Sequence, residues 1–298
     1  MTLPKSALPW IALVVVYLMW GSTYLGIRVA VATIPPYLMT GVRFLIAGVL
    51  MLALQWAFSK RKPTFPTRAE LLQIAIIAVA LLAIGNGLLS FAETRVESGT
   101  AALLIASSPL FMVLIDAFAT RKAPSLLATI GIVLGSIGIA VLVGKSSVHG
   151  DAFMAALILF SSLAWAAGSV YARGTTHHPL TAPLEMIVGG ALLMVVGLAI
   201  GETAHVQIAA ISPASVWGMA WLIVGGAMIG YSAYAYAVRT LPTATVATYG
   251  YVNPIVAVIL GAIVLHEPLT WRVLAGGAAV ILSVLLILLG SPSRPTAA

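Results

Sequence analysis

The chain has no cysteine among its 298 residues, and only 8 % of it is Asp, Glu, Lys or Arg. Without cysteine there is no disulfide framework, no thiolate nucleophile and no cysteine-held metal. So little charge leaves no surface fit for water, since a soluble domain carries about 25 % charged residues. Catalytic patterns are missing as well. No Gly-x-Ser-x-Gly elbow, His-Glu-x-x-His helix or Gly-x-x-x-x-Gly-Lys loop occurs, which argues against hydrolase and metalloprotease chemistry and against ATP as the energy source. No basic patch is interleaved with aromatics, so nucleic acid is not an expected partner. The adjacent pair His177-His178 has no nearby carboxylate and makes a poor metal site. The chain reads as a non-enzyme without metal or cofactor.

What is abundant is hydrocarbon: 61 % of residues are apolar and the mean hydropathy is +1.09. A water-soluble chain of this size cannot hide that much apolar surface. A helix needs about 20 mostly apolar residues to cross about 30 Å of bilayer. Ten segments meet the rule: Trp10–Ala32, Pro36–Phe58, Leu71–Phe91, Gly99–Phe118, Leu126–Val143, Phe153–Tyr171, Ala182–Ile200, Val216–Val238, Ala244–Leu265 and Trp271–Leu289. The first is too long for a cleaved leader and is expected as a span. The longest connection, Gly201–Ser215, leaves no room for a soluble catalytic domain.

The formal charge of +7 comes from 15 Lys and Arg against 8 Asp and Glu. With the N-terminus inside, the cytoplasmic side holds Lys5, Lys60, Arg61, Lys62, Arg68, Arg121, Lys122, Arg173, Arg239 and Arg294. The other side holds Arg28, Arg95, Lys145 and Arg272. That bias follows the positive-inside rule. The expectation is an all-α integral membrane protein with both termini cytoplasmic.

The two halves repeat. A shift of 145 positions carries Trp20 onto Trp165, Gly85 onto Gly230, Thr100 onto Thr245, Ser108 onto Asn253 and Pro109 onto Pro254. Residues 1–148 and 149–298 therefore read as two five-helix repeats. Five is odd, so the second enters the membrane from the opposite side. Inverted repeats of this kind enclose a central cavity in secondary transporters.

Polar residues inside the spans mark candidate lining. Pro109 and Pro254 each remove a donor and free a carbonyl one turn earlier, near Ile105 and Gly250. Asn86 sits between Gly85 and Gly87, where the third helix is expected to loosen. Trp20, Tyr24, Trp165, Tyr231, Tyr234 and Tyr249 supply aromatic faces, and Asn86, Ser108, Thr245 and Asn253 supply hydrogen bonds. Such a wall suits a neutral or zwitterionic solute with an apolar side group. The bland alternative is interhelical glue and interfacial belt. Charges in the membrane are costly. At a shift of 142, which also carries Gly48 onto Gly190, Arg43 and Glu185 occupy matched repeat positions and are candidates to pair or gate, and Arg28 and Glu93 are candidates to rim the outer mouth.

Trp20-Gly21-Ser22-Thr23-Tyr24, then Arg43-Phe44 with Ala47-Gly48, the repeated Pro109 and Pro254, and His266-Glu267-Pro268 before the last helix together resemble the EamA-type exporters of the drug/metabolite transporter superfamily. The resemblance covers both halves. It implies two inverted five-helix repeats around a cavity lined by spans one, three, four, six, eight and nine, and a structural or rim role for Glu267. It also implies secondary export of small metabolites, with amino acids bearing aromatic or bulky apolar side chains favoured. Export of drug-like or other metabolites, or a passive channel, stays open as an alternative. The partners expected are a small-molecule substrate and the lipid bilayer, and the oligomeric state is open.

Overall fold

In the computed structural model, residues 7–59, 64–121, 123–143, 149–175, 178–241, 243–246 and 248–290 are described. Lys5, Lys60, Arg61, Lys62, Lys122, Lys145, His177 and Arg294, and the side chain of Arg239, lie outside them. Ten apolar helices run through the described residues: α1 Leu8–Ala30, α2 Pro36–Phe58, α3 Arg68–Ala92, α4 Ser98–Thr120, α5 Leu126–Val143, α6 Ala152–Ala172, α7 Thr181–Ala199, α8 Pro213–Ala237, α9 Tyr249–Val264 and α10 Trp271–Gly290. Nine have the length and hydropathy to cross a bilayer. The tenth, α9, has 16 residues, about 24 Å at 1.5 Å per residue, and a short helix Thr243–Val246 precedes it. Ala244–Leu265 was expected as one helix. The break falls before Tyr249, while Pro254 is carried inside α9.

Successive crossings alternate, so α1 starts and α10 ends at one membrane face, called near. The opposite, far face carries the connections after α1, α3, α5, α7 and α9.

Two more spans are interrupted. α1 is two helices, Leu8–Gly21 and Thr23–Ala30, meeting at Ser22. α4 is Ser98–Ile105 and Ser108–Thr120, with Pro109 in the first turn of the second piece. Proline is tolerated there because that position has no helical acceptor for its missing N–H. The carbonyl of Ile105 accepts from Ser108 Oγ at 2.8 Å and from Ser162 Oγ at 3.2 Å.

Helices with no hydrophobic drive to associate in lipid gain contact through small residues. Equivalent helices of the two repeats meet this way. At α2 and α7, a Cβ on Gly41 would lie 3.0 Å from the carbonyl oxygen of Gly190, and one on Gly190 would lie 2.9 Å from that of Gly41. At α5 and α10, Gly138 and Gly276 show the same reciprocity at 2.9 and 3.0 Å. Both contacts put backbone on backbone, so neither side can yield.

Gly190→Ala should therefore cost at least about 1 kcal/mol, as overpacking does. Gly250→Ala, with nothing within 4 Å of the new methyl, should be close to neutral. Unfolding of the two variants in detergent checks this, and equal stability of Gly190→Ala and wild type would refute the packing account.

Candidate functional site

Helices α3 and α8 share a distortion that the other spans lack among the described residues. Each passes through a π-helical stretch near its middle, Val79–Asn86 in α3 and Leu222–Gly230 in α8. A π segment widens the turn and misaligns carbonyls with their usual donors. Gly85 and Gly230, matched in the repeat, lie near the ends of the two stretches and each faces an indole. A Cβ on Gly85 would lie 3.4 Å from Trp165 Cε3, and one on Gly230 would lie 2.7 Å from Trp20 Nε1. The spare carbonyls are taken up by side chains. Trp20 Nε1 donates to Gly226 O at 3.1 Å, Ser161 Oγ to Gly85 O at 2.6 Å and Asn86 Nδ2 to Leu81 O at 3.2 Å.

Trp20 also belongs to a three-ring cluster. Its ring centroid lies 4.9 Å from that of Tyr234 and 5.3 Å from that of Tyr249, and the two tyrosines are 5.7 Å apart. The two pairs involving Tyr249 are edge-to-face, the arrangement that the ring quadrupoles favour. One ring comes from the first repeat and two from the second. Tyr17, just below Trp20 on α1, shares a hydrogen bond with Thr248, which leads into α9.

The other expected lining residues are spread around this cluster. Tyr24 packs against a core group containing Ile27, Leu104 and Ile158, and Tyr231 packs against another containing Phe44 and Leu193. Trp165 lies against α3. The Ser108 hydroxyl is engaged by Ile105 O and Ser162 Oγ, both within 2.8 Å. Thr245 is half-buried, and its carbonyl accepts from Thr248. Asn253 is buried, and its Oδ1 has no hydrogen-bond partner.

Among the charges, Arg43 is buried in α2. Its Nη2 donates to Asn86 Oδ1 at 2.8 Å, its Cζ sits 4.3 Å over the Phe44 ring, and Nε and Nη1 are unpartnered. Glu185 is half-buried on α7, and no ion pair joins it to Arg43 among the described residues. The ion pair found among them, Arg173 with Asp116 at 3.4 Å, lies half-exposed at the near face. At the far face Arg28 Nη1 donates to the main-chain carbonyl of Glu93. The Glu93 carboxylate is fully buried with both oxygens unpartnered. Burial, then the nearby Glu267 carboxylate, push Glu93 well above the usual carboxylate range, against the pull of Arg28 and Arg43.

Two acids of the second repeat close the far face onto helices of the first. Glu267 accepts from Ser98 N at 2.7 Å, Ser98 Oγ at 2.8 Å and Gly99 N at 3.0 Å, at the start of α4. His266, at φ 54°, turns the chain out of α9 so that Glu267 reaches them. Glu202, in the connection after α7, accepts from Tyr37 N at 3.1 Å and Leu38 N at 2.8 Å, at the start of α2. A carboxylate on exposed helix N–H groups is favoured by hydrogen bonding and by the helix dipole. A third tie runs between α1 and α8, where Thr33 Oγ1 donates to Ser215 Oγ and Ser215 Oγ donates to Val29 O, both at 2.8 Å.

The resemblance implies a structural or rim role for Glu267, whereas nothing in the sequence singles out Glu202. The signal for both was negative: α2 opens after Pro35 and α4 after Glu97, and neither N-cap side chain accepts a helix N–H.

The EamA-like transporter family model matches the chain twice, over residues 8–144 and 152–289. The uncharacterized inner membrane transporter YedA of Escherichia coli K12 is 36 % identical over 96 % of this chain and 94 % of its own length. A probable amino-acid metabolite efflux pump of Salmonella typhimurium is 24 % identical, covering 97 % of each chain. One solved crystal structure shares the fold at a TM-score of 0.55 and 16 % identity, over 96 % of this chain and 98 % of that one.

Because the chain is free of cysteine, Val96→Cys offers a single reporter in the far-face connection. Glu267→Ala and Glu202→Ala should each cost about 1–2 kcal/mol of stability and raise labelling of Cys-substituted Val96 by an impermeant maleimide several-fold. Labelling that stays at the level of the unaltered clasps would show that they do not hold this face shut.

Proposed function

The chain belongs to the EamA-like transporter family, and we propose that it is a secondary active exporter of small metabolites in the bacterial inner membrane. Amino acids with aromatic or bulky apolar side chains are the favoured cargo. The observation that carries this reading is the cluster of Trp20, Tyr234 and Tyr249, built from both repeats beside the two π-helical stretches. Rings already arranged edge to face can exchange one ring contact for an equivalent contact with a solute, at little cost in order. Asn253, with its unpartnered Oδ1, supplies a polar group toward which a solute's ammonium can turn. Two relatives support it by name, one as an inner membrane transporter and one as a probable amino-acid efflux pump.

Transport proceeds by alternating access. The repeats rock about the Gly41–Gly190 and Gly138–Gly276 contacts, and the Glu202, Glu267 and Thr33–Ser215 ties part when the far face opens. The excess of Lys and Arg in the connections and tails that chain order assigns to the near side supports reading that face as cytoplasmic.

Counterflow in proteoliposomes tests the cargo. Trp20→Ala and Tyr249→Ala each remove about 1 kcal/mol of ring contact, which raises half-saturation for phenylalanine about fivefold. Trp20→Phe keeps most of the affinity. If both alanine variants carried every amino acid at the wild-type rate, the assignment of this wall would fall.

Orientation has its own test. Single cysteines replacing Ser59 and Thr175 should react with impermeant reagent only from the cytoplasmic side, and one replacing Thr203 only from the outside. The reverse pattern would invert the topology.

A further inference from the structure

Glu93 is the one acid among the described residues whose carboxylate is both fully buried and without a partner. Glu202 and Glu267 are spent on helix N–H groups. The groups facing Glu93 are few. From α1 come Tyr24 and Arg28, and Arg28 binds the main-chain carbonyl of Glu93 rather than its carboxylate. From α2 comes Arg43, whose Nη2 is engaged by Asn86 while Nε and Nη1 stay unpartnered, and none of its N–H groups reaches the Glu93 oxygens. From the connection after α9 comes Glu267, a like charge. Helices α4 and α6 present apolar side chains, Ala101, Leu104, Met154, Ala155 and Ile158, in the group around Ala92. Arg95, two residues on, is exposed.

A bare carboxylate in such a place is costly for the closed far face to hold, because no donor reaches either of its oxygens. A neutral carboxyl can be held. The closed far face thus discriminates between two states of one group by its charge.

We propose that Glu93 carries the counter-proton of export: the far face closes over the protonated carboxyl and stays open over the carboxylate. This rests on the reading of the chain as a carrier. In each cycle one proton from the outer solution binds a Glu93 oxygen while the far face is open, crosses as the O–H of a neutral carboxyl, and leaves to the near side. No other bond changes. Asn86, two helical turns deeper on the same face of α3 and about 10 Å away, with Arg43 bound to it, is a polar group on the inward side of Glu93. The return of the empty carrier then requires the proton, so each export cycle carries one proton inward.

Two measurements test this. Infrared difference spectra of wild type against Glu93→Gln in detergent at pH 7 need no substrate. They should show the C=O band of one protonated carboxyl in the wild type that the variant lacks. In proteoliposomes preloaded with phenylalanine, both proteins should show counterflow without a gradient. An inside-acid gradient of about two pH units should raise wild-type accumulation on the order of tenfold and leave Glu93→Gln unchanged. A missing carboxyl band overturns the inference, since Glu93 would then be ionised in the closed state. So does a gradient response retained by the variant, or none in the wild type, and in those cases the carrier reading stands on the counterflow. If wild type shows no counterflow with phenylalanine, the proposed function falls first and this inference with it.

Discussion

A helix that ends against protein instead of water carries N–H groups that its own turn cannot satisfy, and much of this structure follows from how they are satisfied. Helices α2 and α4 begin at the far face without a local side-chain cap. Their donors are met by Glu202 and Glu267, each from the second repeat and each more than 160 positions away in the chain. The same bonds that finish two helices therefore hold the two repeats together at one face. Had the caps been local, as Thr67 with Glu70 is for α3, the helices would be as complete and the face would have no tie. Borrowing the cap from the other repeat converts a local requirement into a conformational one.

The same accounting explains the middle of the membrane. A π stretch is costly in lipid unless its displaced carbonyls find donors. Here both stretches have them, from Trp20, Ser161 and Asn86. The break in α4 is handled alike, with Ser108 and Ser162 on the carbonyl of Ile105. Hydroxyls and indole N–H groups in the spans thus serve first as partners for irregular backbone. Irregular backbone at this depth is in turn what allows Trp20 and Trp165 to lie against glycine in the opposite repeat. A regular α8 would place the Gly226 carbonyl inside its own helix and leave the Trp20 indole N–H without that partner.

How much of this was legible beforehand depended on whether the signal was local. The ten spans, the repeat and the satisfied Ile105 carbonyl follow from hydropathy, register and a proline's missing donor, all readable from neighbours in sequence. The loosening around Asn86 was expected from its two glycines, though the π form of it was not, and its counterpart in α8 was hidden among Gly225, Gly226 and Gly230. The Trp20, Tyr234 and Tyr249 cluster was foreseen as lining but not as a mutual contact, since nothing in sequence says which aromatics meet. Arg43 and Glu185 share a repeat position, yet repeat symmetry relates places, not neighbours. A residue's symmetry mate lies across the pseudo-axis, and Arg43 found Asn86 on an adjacent helix instead. Glu202 was invisible for the same reason, because its partner is an absence, a helix start with no cap.

Charge at the far face completes the argument. Arg28, Arg43, Glu93 and Glu267 would sum to zero if all were ionised and close, but their hydrogen bonds do not pair them. Arg28 binds a carbonyl, Arg43 an amide and Glu267 a helix start, so the Glu93 carboxyl is left with no partner and Arg43 with a neutral one. An unpartnered buried group costs least when it is neutral, and of Arg43 and Glu93 only the carboxyl becomes neutral by gaining a proton. Clasps that hold a face shut and an acid that tolerates the shut face only when neutral act on the same equilibrium. The first sets how firmly the face closes, and the second sets the protonation state at which it does so.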